Sequence, residues 1–319
     1  MIVNERFIIF MKKSNGLAYG RVGLLGNPSD IYGGKCISFT FDKSARVEIS
    51  DSDYFLIKGY GVEERDLGYK GTHSLVKATI NKLELSDRRF ALSYDSEIPV
   101  GSGLAGSSAI VIASMRAFND FFNLGLDRYK IAELALRVET EELGISAGFQ
   151  DRYSISFEGV SFMDFSGKEY MGESDPYGKI EKLDIKEIPY FLSLGVKPKS
   201  SAVVHNPLRE RFLAGGLEAG RIKERMDRIA ELAVTGRDYL IAGDWHNFGG
   251  LMNRNTELRE ELSKHSVMDK KMIERARELG ALGAKVAGSG GAVIVLSDDK
   301  NIFDEMSQDY PCYKPRIIG

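Results

Sequence analysis

The chain has 319 residues, of which 43% are hydrophobic and 28% charged, a composition typical of globular proteins and unlike that of disordered or fibrous chains. Its 43 basic and 46 acidic side chains give a formal net charge of −3, so no overall positive field attracts nucleic acid or an anionic membrane. The length predicts two domains, or one large α/β domain. We expect a protein that binds neither nucleic acid nor membrane and holds any anionic ligand locally.

Cysteine content and apolar runs bear on the compartment. The two cysteines, Cys36 and Cys312, are too few for a disulfide framework and lie in no spacing typical of zinc sites. No apolar run approaches the ~20 residues that cross a bilayer. The short apolar patch at residues 7–11 is followed by no cleavage site, so a signal peptide is not expected. These features predict a cytoplasmic protein.

The first half of the chain is predicted to be rich in β-structure. Ser14-Asn15-Gly16 predicts a turn. Alternating and β-branched patterns then predict strands at residues 18–25, 37–41, 45–49, 54–58, 89–94, 153–157 and 160–165. Apolar residues at helical spacing predict helices at residues 72–82, 110–121 and 127–142.

A polar, glycine-bearing stretch at residues 166–182 interrupts this pattern, and we place a domain boundary in it, giving domains at 1–180 and 181–319. A strand at 190–195 opens the second domain. Helices at 217–234, 239–260 and 269–279 and a last strand at 292–296 are predicted to follow.

Residues 99–109, Pro-Val-Gly-Ser-Gly-Leu-Ala-Gly-Ser-Ser-Ala, form a loop of small residues that leads directly into a predicted helix. Unpaired backbone N–H groups and the positive end of the helix dipole form an anion site there, and small side chains allow a polyphosphate to approach the backbone. Ser107 or Ser108 could bind Mg²⁺ as a hard oxygen ligand. The loop therefore predicts phosphate binding, with a tight strand-to-helix turn as the alternative. A dinucleotide site is disfavoured, because residues near 126 begin a helix where that fold needs an acidic residue.

Two acidic side chains are candidates for chemistry. Glu139 shares a helical stripe with Ile131 and Ala135, so its carboxylate needs a metal or a basic partner, although Glu142 lies on the same stripe and spacing alone does not choose between them. Asp151 follows a loop of small residues and precedes a predicted strand, which suits a general base. The alternative for Asp151 is a structural ion pair.

Three segments in order resemble the GHMP kinases, the family of galactokinase, homoserine kinase and the mevalonate kinases. The glycine loop resembles the family's Pro-xxx-Gly-Leu-xx-Ser-Ser-Ala signature. Residues 20–30, Gly-Arg-Val-Gly-Leu-Leu-Gly-Asn-Pro-Ser-Asp, resemble the first motif, and residues 285–292, Lys-Val-Ala-Gly-Ser-Gly-Gly-Ala, the third. The similarity covers roughly residues 18–296. Within the family, the segments 26–30 and 147–152 resemble glucuronokinases most.

This resemblance implies an α+β fold of two domains, the first like ribosomal protein S5 domain 2 and the second ferredoxin-like. It implies ATP on the glycine loop, through Pro99, Gly101, Gly103, Leu104, Ala105, Gly106, Ser107 and Ser108. It favours Glu139 over Glu142 as the Mg²⁺ carboxylate, together with Ser108, and implies that Asp151 acts as base with help from Arg21. The implied sugar contacts are Asn27, Ser29, Asp30, Gly288, Ser289 and Gly290.

The activity that the resemblance implies is transfer of the ATP γ-phosphate to the anomeric hydroxyl of a sugar, first of all glucuronate. The substrate's carboxylate would then need a cation, for which Lys35 and Arg152 are candidates. Other acceptors, namely galactose, arabinose, fucose or a heptose phosphate, are alternatives. A non-catalytic sugar and nucleotide sensor is disfavoured because Asp151, Glu139 and Ser108 are all present. A decarboxylase of the mevalonate diphosphate type is disfavoured by the 26–30 loop.

Overall fold

The computed structural model describes residues 12–69, 71–170, 172, 176–195 and 202–319, with only the backbone for 202–206; the apolar patch at 7–11 lies outside this set. A first sheet of seven strands contains β1 (Lys13–Leu25), β2 (Lys35–Ser50), β3 (Leu56–Gly59), β4 (Val62–Glu64), β5 (Ala91–Ser96), β6 (Val160–Asp164) and β7 (Lys179–Leu183). The long strand β2 pairs with three of the other strands of this sheet. Antiparallel β1 pairs along one edge of β2, while β6 pairs with the first part of β2 and β5 with the last part.

Within the described part of the first half, four helices accompany this sheet: α1 (Ser74–Lys82), α2 (Gly106–Phe122), α3 (Arg128–Arg137) and α4 (Phe149–Phe157). Helix α2 packs on β1 and β2 and also contacts α1, α3 and α4. Because neighbours surround it, residues on several of its sides, among them Ala109, Val111, Ile112 and Met115, have no exposed surface. A single π-helical turn, Val138–Glu142, extends α3 towards the start of α2.

In the described residues of its second half, the chain forms five helices: α5 (Ala202–Leu213), α6 (Gly216–Ala242), α7 (Trp245–Leu262), α8 (Val267–Glu278) and α9 (Lys300–Asp309). Its sheet contains β8 (Tyr190–Leu194), β9 (Gly283–Val286), β10 (Ala292–Leu296) and β11 (Cys312–Tyr313). The antiparallel order is β11-β8-β10-β9, the strand order of a ferredoxin-like unit. Alternate residues cover its two faces: Val293 and Val295 pack with α8 and α9, whereas Ile294 and Leu296 join the main core.

The predicted α+β fold with a ferredoxin-like second part is thus confirmed. The division at residue 180 stays a prediction. Strand β7 spans that position and belongs to the first sheet, and the first strand of the second sheet begins at Tyr190.

Two predicted elements have a different secondary structure. Ser14-Asn15-Gly16 lies within β1, because the partner strand β2 pairs with it residue by residue, Gly16 opposite Val47. Residues 153–157 belong to helix α4, whose aromatic residues Phe149, Tyr153 and Phe157 recur every four residues along one side. Asp151 therefore lies in the first turn of a helix and does not precede a strand.

The helix predicted at residues 239–260 is two helices. Helix α6 ends at Ala242, and Gly243 follows with a left-handed φ of 69°. Asp244 then caps α7 by accepting a hydrogen bond from Asn247 N. This break turns α7 back against α6 and onto β9, which brings its side chains towards the first half of the molecule.

Candidate active site

The glycine loop opens into a cavity of about 580 Å³ that both halves of the molecule line. The first half contributes the loop, β1, the 27–31 segment and the start of α4, and the second half contributes Arg259, Gly288 and Ser289. Most of the predicted site residues line it: Arg21, Asn27, Asp30, Pro99, Gly101, Gly103, Leu104, Ala105, Gly106, Ser107, Ser108, Glu139, Asp151, Gly288 and Ser289. Ser29 does not, because it is fully buried and donates its hydroxyl to Lys35 O at 3.2 Å. Gly290 is likewise not among the residues that line the cavity.

The glycine loop runs into α2 as the sequence predicts. Ala105 precedes the helix with a φ of 61°, and no side chain caps the first turn, so its backbone N–H groups remain available to an anion. Gly103 has a φ of 71°, and a Cβ atom there would lie 2.5 Å from Gly290 O. A Cβ atom on Gly288 would lie 2.2 Å from Gly103 O. The glycines of the third motif thus let the two loops pack together; the predicted contacts of Gly288, Ser289 and Gly290 with sugar stay predictions.

Arg21 and Asp151 form an ion pair in the cavity wall. Nε and Nη2 of Arg21 lie 2.7 and 2.6 Å from Oδ1 of Asp151. Nη1 of the same arginine donates to Gly103 O at 2.9 Å and Ala287 O at 3.2 Å. Arg21 therefore ties the carboxylate to the glycine loop and to the third motif at once. The first turn of α4, where the helix dipole favours a negative charge, supports Asp151 from the other side.

Glu139 and Arg152 form a second, more deeply buried pair. Their side chains are 1% and 4% exposed, and Arg152 Nε donates to Glu139 Oε2 at 2.7 Å, with Nη2 of Arg152 on the same oxygen. Ser108 Oγ donates to Glu139 Oε2 at 3.2 Å. Burial alone would lower the pKa of Arg152, but Glu139 and Asp151 raise it above its ordinary value, so this guanidinium stays charged. Glu142, the competing candidate, instead accepts a hydrogen bond from the hydroxyl of Tyr69.

The two cations predicted to hold a substrate carboxylate both make contacts with carboxylates of the protein. Arg152 is committed to Glu139 and donates Nη1 to Gly148 O at 2.8 Å. Lys35 lies outside the set of cavity residues, with its Nζ 4.0 Å from Asp164 Oδ2. Because β2 pairs with β6 at this position, Lys35 is held beside Asp164.

The loop between β1 and β2 is held by residues from distant parts of the chain. Asn27 Oδ1 accepts a hydrogen bond from Lys285 Nζ at 2.8 Å. Asn255 accepts from Gly26 N at 3.0 Å and donates to Asn27 O at 3.2 Å. These contacts leave the Asn27 side chain at the cavity surface with its amide oxygen already used. Sequence reasoning singled out neither Asn255 nor Lys285 as a holder of this loop.

Asp30 is a buried carboxylate on the same loop. Its Oδ2 accepts a hydrogen bond from Gln150 N at 3.0 Å. Burial raises the pKa of Asp30 above its ordinary value of 3.8, and the negative charge of Asp151 adds to this, while the Gln150 hydrogen bond opposes it. Asp30 thus contributes a carboxylate whose ionised form is disfavoured in the folded protein.

This shift predicts a pH-dependent effect of Asp30→Asn on stability. Between 3.8 and the raised pKa, the folded protein holds more protons on Asp30 than the unfolded chain does, so its contribution to stability falls as pH rises. Relative to wild type, Asp30→Asn should therefore gain stability as pH rises from about 3.5 to 7, measured by urea unfolding. Asp42→Asn is the control with the opposite sign, since hydrogen bonds from Tyr313 and Arg316 outweigh burial and lower the pKa of Asp42. A stability difference for Asp30→Asn that does not change with pH would contradict the assignment.

Comparison with known proteins identifies the family. The model of the family "GHMP kinases N terminal domain" matches residues 74–159, and that of "GHMP kinases C terminal" matches residues 237–312. The chain is 37% identical to probable glucuronokinase 2 and 34% identical to glucuronokinase 1 of Arabidopsis thaliana, over 89% and 88% of this chain and 85% and 83% of those proteins. The Lactococcus lactis galactokinase complexed with galactose has the same fold, with a TM-score of 0.77 at 18% identity over 96% of this chain and 94% of that one.

The chain belongs to the GHMP kinase family. It is a kinase, a phosphotransferase with an alcohol group as acceptor, and ATP is the phosphoryl donor of this family. In the part of the chain that the structure describes, no helix is both long and apolar enough to cross a membrane.

Arg259 and Gln150 are cavity residues to which sequence reasoning gave no role. Arg259 reaches the cavity from α7, and its Nη1 donates to Gly288 O at 2.7 Å. Gln150 lies beside Asp151 at the start of α4. The spacing of Arg259 four residues after Asn255 places both on one face of a helix, but only the fold shows that this face meets the site.

Proposed function

We propose that this protein is an ATP- and Mg²⁺-dependent sugar kinase that phosphorylates the anomeric hydroxyl of glucuronate. The observation that carries the proposal is the carboxylate of Asp151, held by Arg21 in the wall of a cavity that also contains the uncapped start of α2. The two Arabidopsis thaliana relatives named as glucuronokinases support the choice of sugar. Both cysteines are free, which suits a reducing cytoplasm.

The proposed reaction is an in-line phosphoryl transfer. Asp151 orients the hydroxyl at C1 of the sugar and accepts its proton as the oxygen attacks the γ-phosphorus. The new bond joins the sugar oxygen to phosphorus, and the bond from phosphorus to the β,γ-bridging oxygen breaks, so ADP leaves with that electron pair. Backbone N–H groups at the start of α2 stabilise the negative charge of the phosphates. Arg21 fixes the direction of the Asp151 carboxylate through the contacts of its Nε and Nη2 with Oδ1.

Ser108 and Glu139 fit a magnesium ion. Their oxygens lie 3.2 Å apart beside the glycine loop, which provides two hard donors, and Mg²⁺ is usually bound in kinases through one or two such groups plus phosphates and water. When bound, the ion would neutralise charge on the transferred phosphate. Arg152 orients the Glu139 carboxylate through Oε2, and Oε1 lies 3.5 Å from Ser108 Oγ.

Ser108→Ala is expected to raise the Mg²⁺ concentration at half-maximal rate about tenfold, in the range of effects of lost metal-site contacts. Steady-state ADP release at saturating ATP and sugar, titrated with MgCl₂, measures it. Ser107→Ala is the matched control, because its hydroxyl is adjacent in sequence and makes no hydrogen bond to Glu139 among the residues described. An unchanged Mg²⁺ dependence in Ser108→Ala would place the metal elsewhere.

The proposal is tested by an ADP-release screen of the wild-type protein with glucuronate, glucose, galactose, arabinose, fucose and a heptose phosphate. We expect glucuronate to give the highest kcat/KM. Its product should be an acid-labile 1-phosphate in which phosphorus couples to the anomeric proton by NMR. A clear preference for neutral sugars or for the heptose phosphate would overturn the choice of substrate, and binding of sugar and nucleotide without turnover would overturn the catalytic role.

A further inference from the structure

Three arginines line the cavity within the described part of the chain: Arg21, Arg152 and Arg259. The first two are paired with Asp151 and Glu139. Arg259 forms no ion pair with any described carboxylate, and its one hydrogen bond from Nη1 goes to Gly288 O at 2.7 Å. A guanidinium has five N–H donors, so most of its capacity is left for a ligand.

Asp269 is the carboxylate whose charge acts on Arg259, but its oxygens already accept hydrogen bonds from other groups. Asp269 accepts hydrogen bonds from Gly291 N at 2.8 Å and from the Ser266 hydroxyl at 2.7 Å. Arg259 itself is only 6% exposed. Burial lowers its pKa to about 10, with Asp269 opposing and Arg21 adding to that shift. The side chain therefore stays cationic at neutral pH and carries a desolvation cost that a bound anion would offset.

Arg259 lies at the end of the cavity where the loop between β1 and β2 is anchored. On α7 it follows Asn255 by four residues, so the two side chains are neighbours, and Asn255 binds the backbone of Gly26 and Asn27. Lys285, which donates to Asn27 Oδ1, has a pKa well below its usual value because of burial and the nearby charges of Arg259 and Arg21. The positive charge of Arg259 thus lies near Lys285 and Asn27, on the side of the proposed sugar contacts.

An unpartnered amide adjoins this region. Gln150 lines the cavity, is 4% exposed, and its Nε2 has no hydrogen-bond partner among the described residues. A Cβ atom added at Gly23 would lie 3.0 Å from this nitrogen and 2.8 Å from Ala287 O. The amide is therefore next to the Ala287–Gly288 segment that Arg259 contacts. A buried donor without an acceptor is costly, so a ligand oxygen there would satisfy it.

We propose that Arg259 binds the C6 carboxylate of the sugar acid, with Gln150 Nε2 as a second donor, and that this contact selects a uronate over a neutral sugar. The inference rests on the proposed function, since it assigns the acceptor of that reaction a place in the cavity. A guanidinium and a carboxylate form charge-assisted, often bidentate hydrogen bonds that strengthen in a water-poor pocket. The opposite end of the sugar is then presented to Asp151.

The test compares D-glucuronate with D-glucuronamide, which has the same ring and a neutral amide at C6. In Arg259→Met, kcat/KM for glucuronate should fall at least about 30-fold, mainly through KM, because one partner of a buried charge pair is removed. The value for glucuronamide should change by less than about threefold and the KM for ATP should stay constant. Arg254→Met is the matched control, since Arg254 lies on the same helix, is 42% exposed at its side chain and pairs with Glu257; both substrates should be unaffected. Arg259→Lys should recover part of the discrimination.

Folding is checked by thermal melting and by retained turnover of glucuronamide. If Arg259→Met does not fold, Arg259→Gln makes the same comparison, because its amide can still donate to Gly288 O while the charge is gone. A variant that keeps the wild-type preference for glucuronate overturns the role of Arg259 and leaves the proposed function standing. An equal loss on both sugars overturns it too, because it assigns the arginine to the nucleotide or to the scaffold. A wild-type protein that turns over neutral sugars but no uronate overturns the proposed substrate and this inference together.

Discussion

Replacing Asp151 with asparagine is expected to lower kcat about 10²- to 10⁴-fold, the usual cost of losing a positioned general base. The asparagine has nearly the same shape but cannot accept the proton of the sugar hydroxyl. ATP affinity should stay near the wild-type value, because the glycine loop does not depend on the carboxylate and Arg21 keeps its hydrogen bonds to Gly103 O and Ala287 O. Single-turnover ADP formation and a fluorescent nucleotide titration measure the two quantities.

Asp164→Asn is the matched control for Asp151→Asn. The two carboxylates are about equally accessible, 21% and 23% exposed, and each lies beside a basic side chain, but Asp164 is outside the cavity. Its replacement should leave kcat unchanged. Near wild-type turnover in Asp151→Asn would contradict the assignment of the base. A fall in ATP affinity as large as the fall in kcat would mean that the residue acts by shaping the glycine loop.

Glu139→Gln is expected to lower the free energy of unfolding by about 3 kcal/mol, because it removes the nearer counter-charge of the buried Arg152 and leaves only Asp151, whose Oδ2 lies 3.8 Å from Arg152 Nη1. Arg152 is 4% exposed and cannot turn to solvent without leaving Gly148 O. The same change should raise the Mg²⁺ requirement of the folded fraction, because it removes a hard oxygen ligand next to Ser108. Urea unfolding and MgCl₂ titration measure the two effects separately.

Glu141→Gln is the control two residues away. Glu141 is 33% exposed at its side chain and pairs with Arg137 and Lys82, so its loss should cost no more than about 1 kcal/mol. Equal destabilisation by the two variants would show that the buried ion pair contributes no more to the free energy of unfolding than the exposed pairs of Glu141. A strongly destabilised Glu139→Gln with a normal Mg²⁺ requirement would assign Glu139 to positioning Arg152 and would remove it from the metal site.

The identity of the candidate base was predictable, but the element that carries it was not. The segment 149–157 is short and rich in aromatic residues, and a segment of this length is compatible with either a strand or a short buried helix. Packing decides the matter, since Phe149 stacks on Phe165 and Tyr153 stacks on Phe157. The helix changes the argument about Asp151, because its carboxylate is at a helix N-terminus and not on a rigid strand end.

Local chemistry in the chain was sufficient to predict the phosphate loop, because small residues followed by an apolar helix dictate both its backbone and its exposed N–H groups. The GHMP kinase motifs could also be recognised in the sequence, and their resemblance to the family implied the α+β class. Which charged side chains form ion pairs with each other could not be predicted. Helical spacing left Glu139 and Glu142 equivalent, and only the π-helical turn directs Glu139 to Ser108 and Arg152.

The same limit applies to Arg259, which nothing in its neighbourhood along the chain distinguishes from Arg254, the other arginine of α7. Its importance depends on Gly288, 29 residues later, and on Asn27, whose partner Lys285 is 258 residues away. Burial and charge balance are properties of the packed cavity, since a cation is costly only where neighbouring elements exclude water. The periodicity of the sequence therefore determines single helices and strands. The ion pairs of a site built from both halves of the chain are decided only when those halves fold against each other.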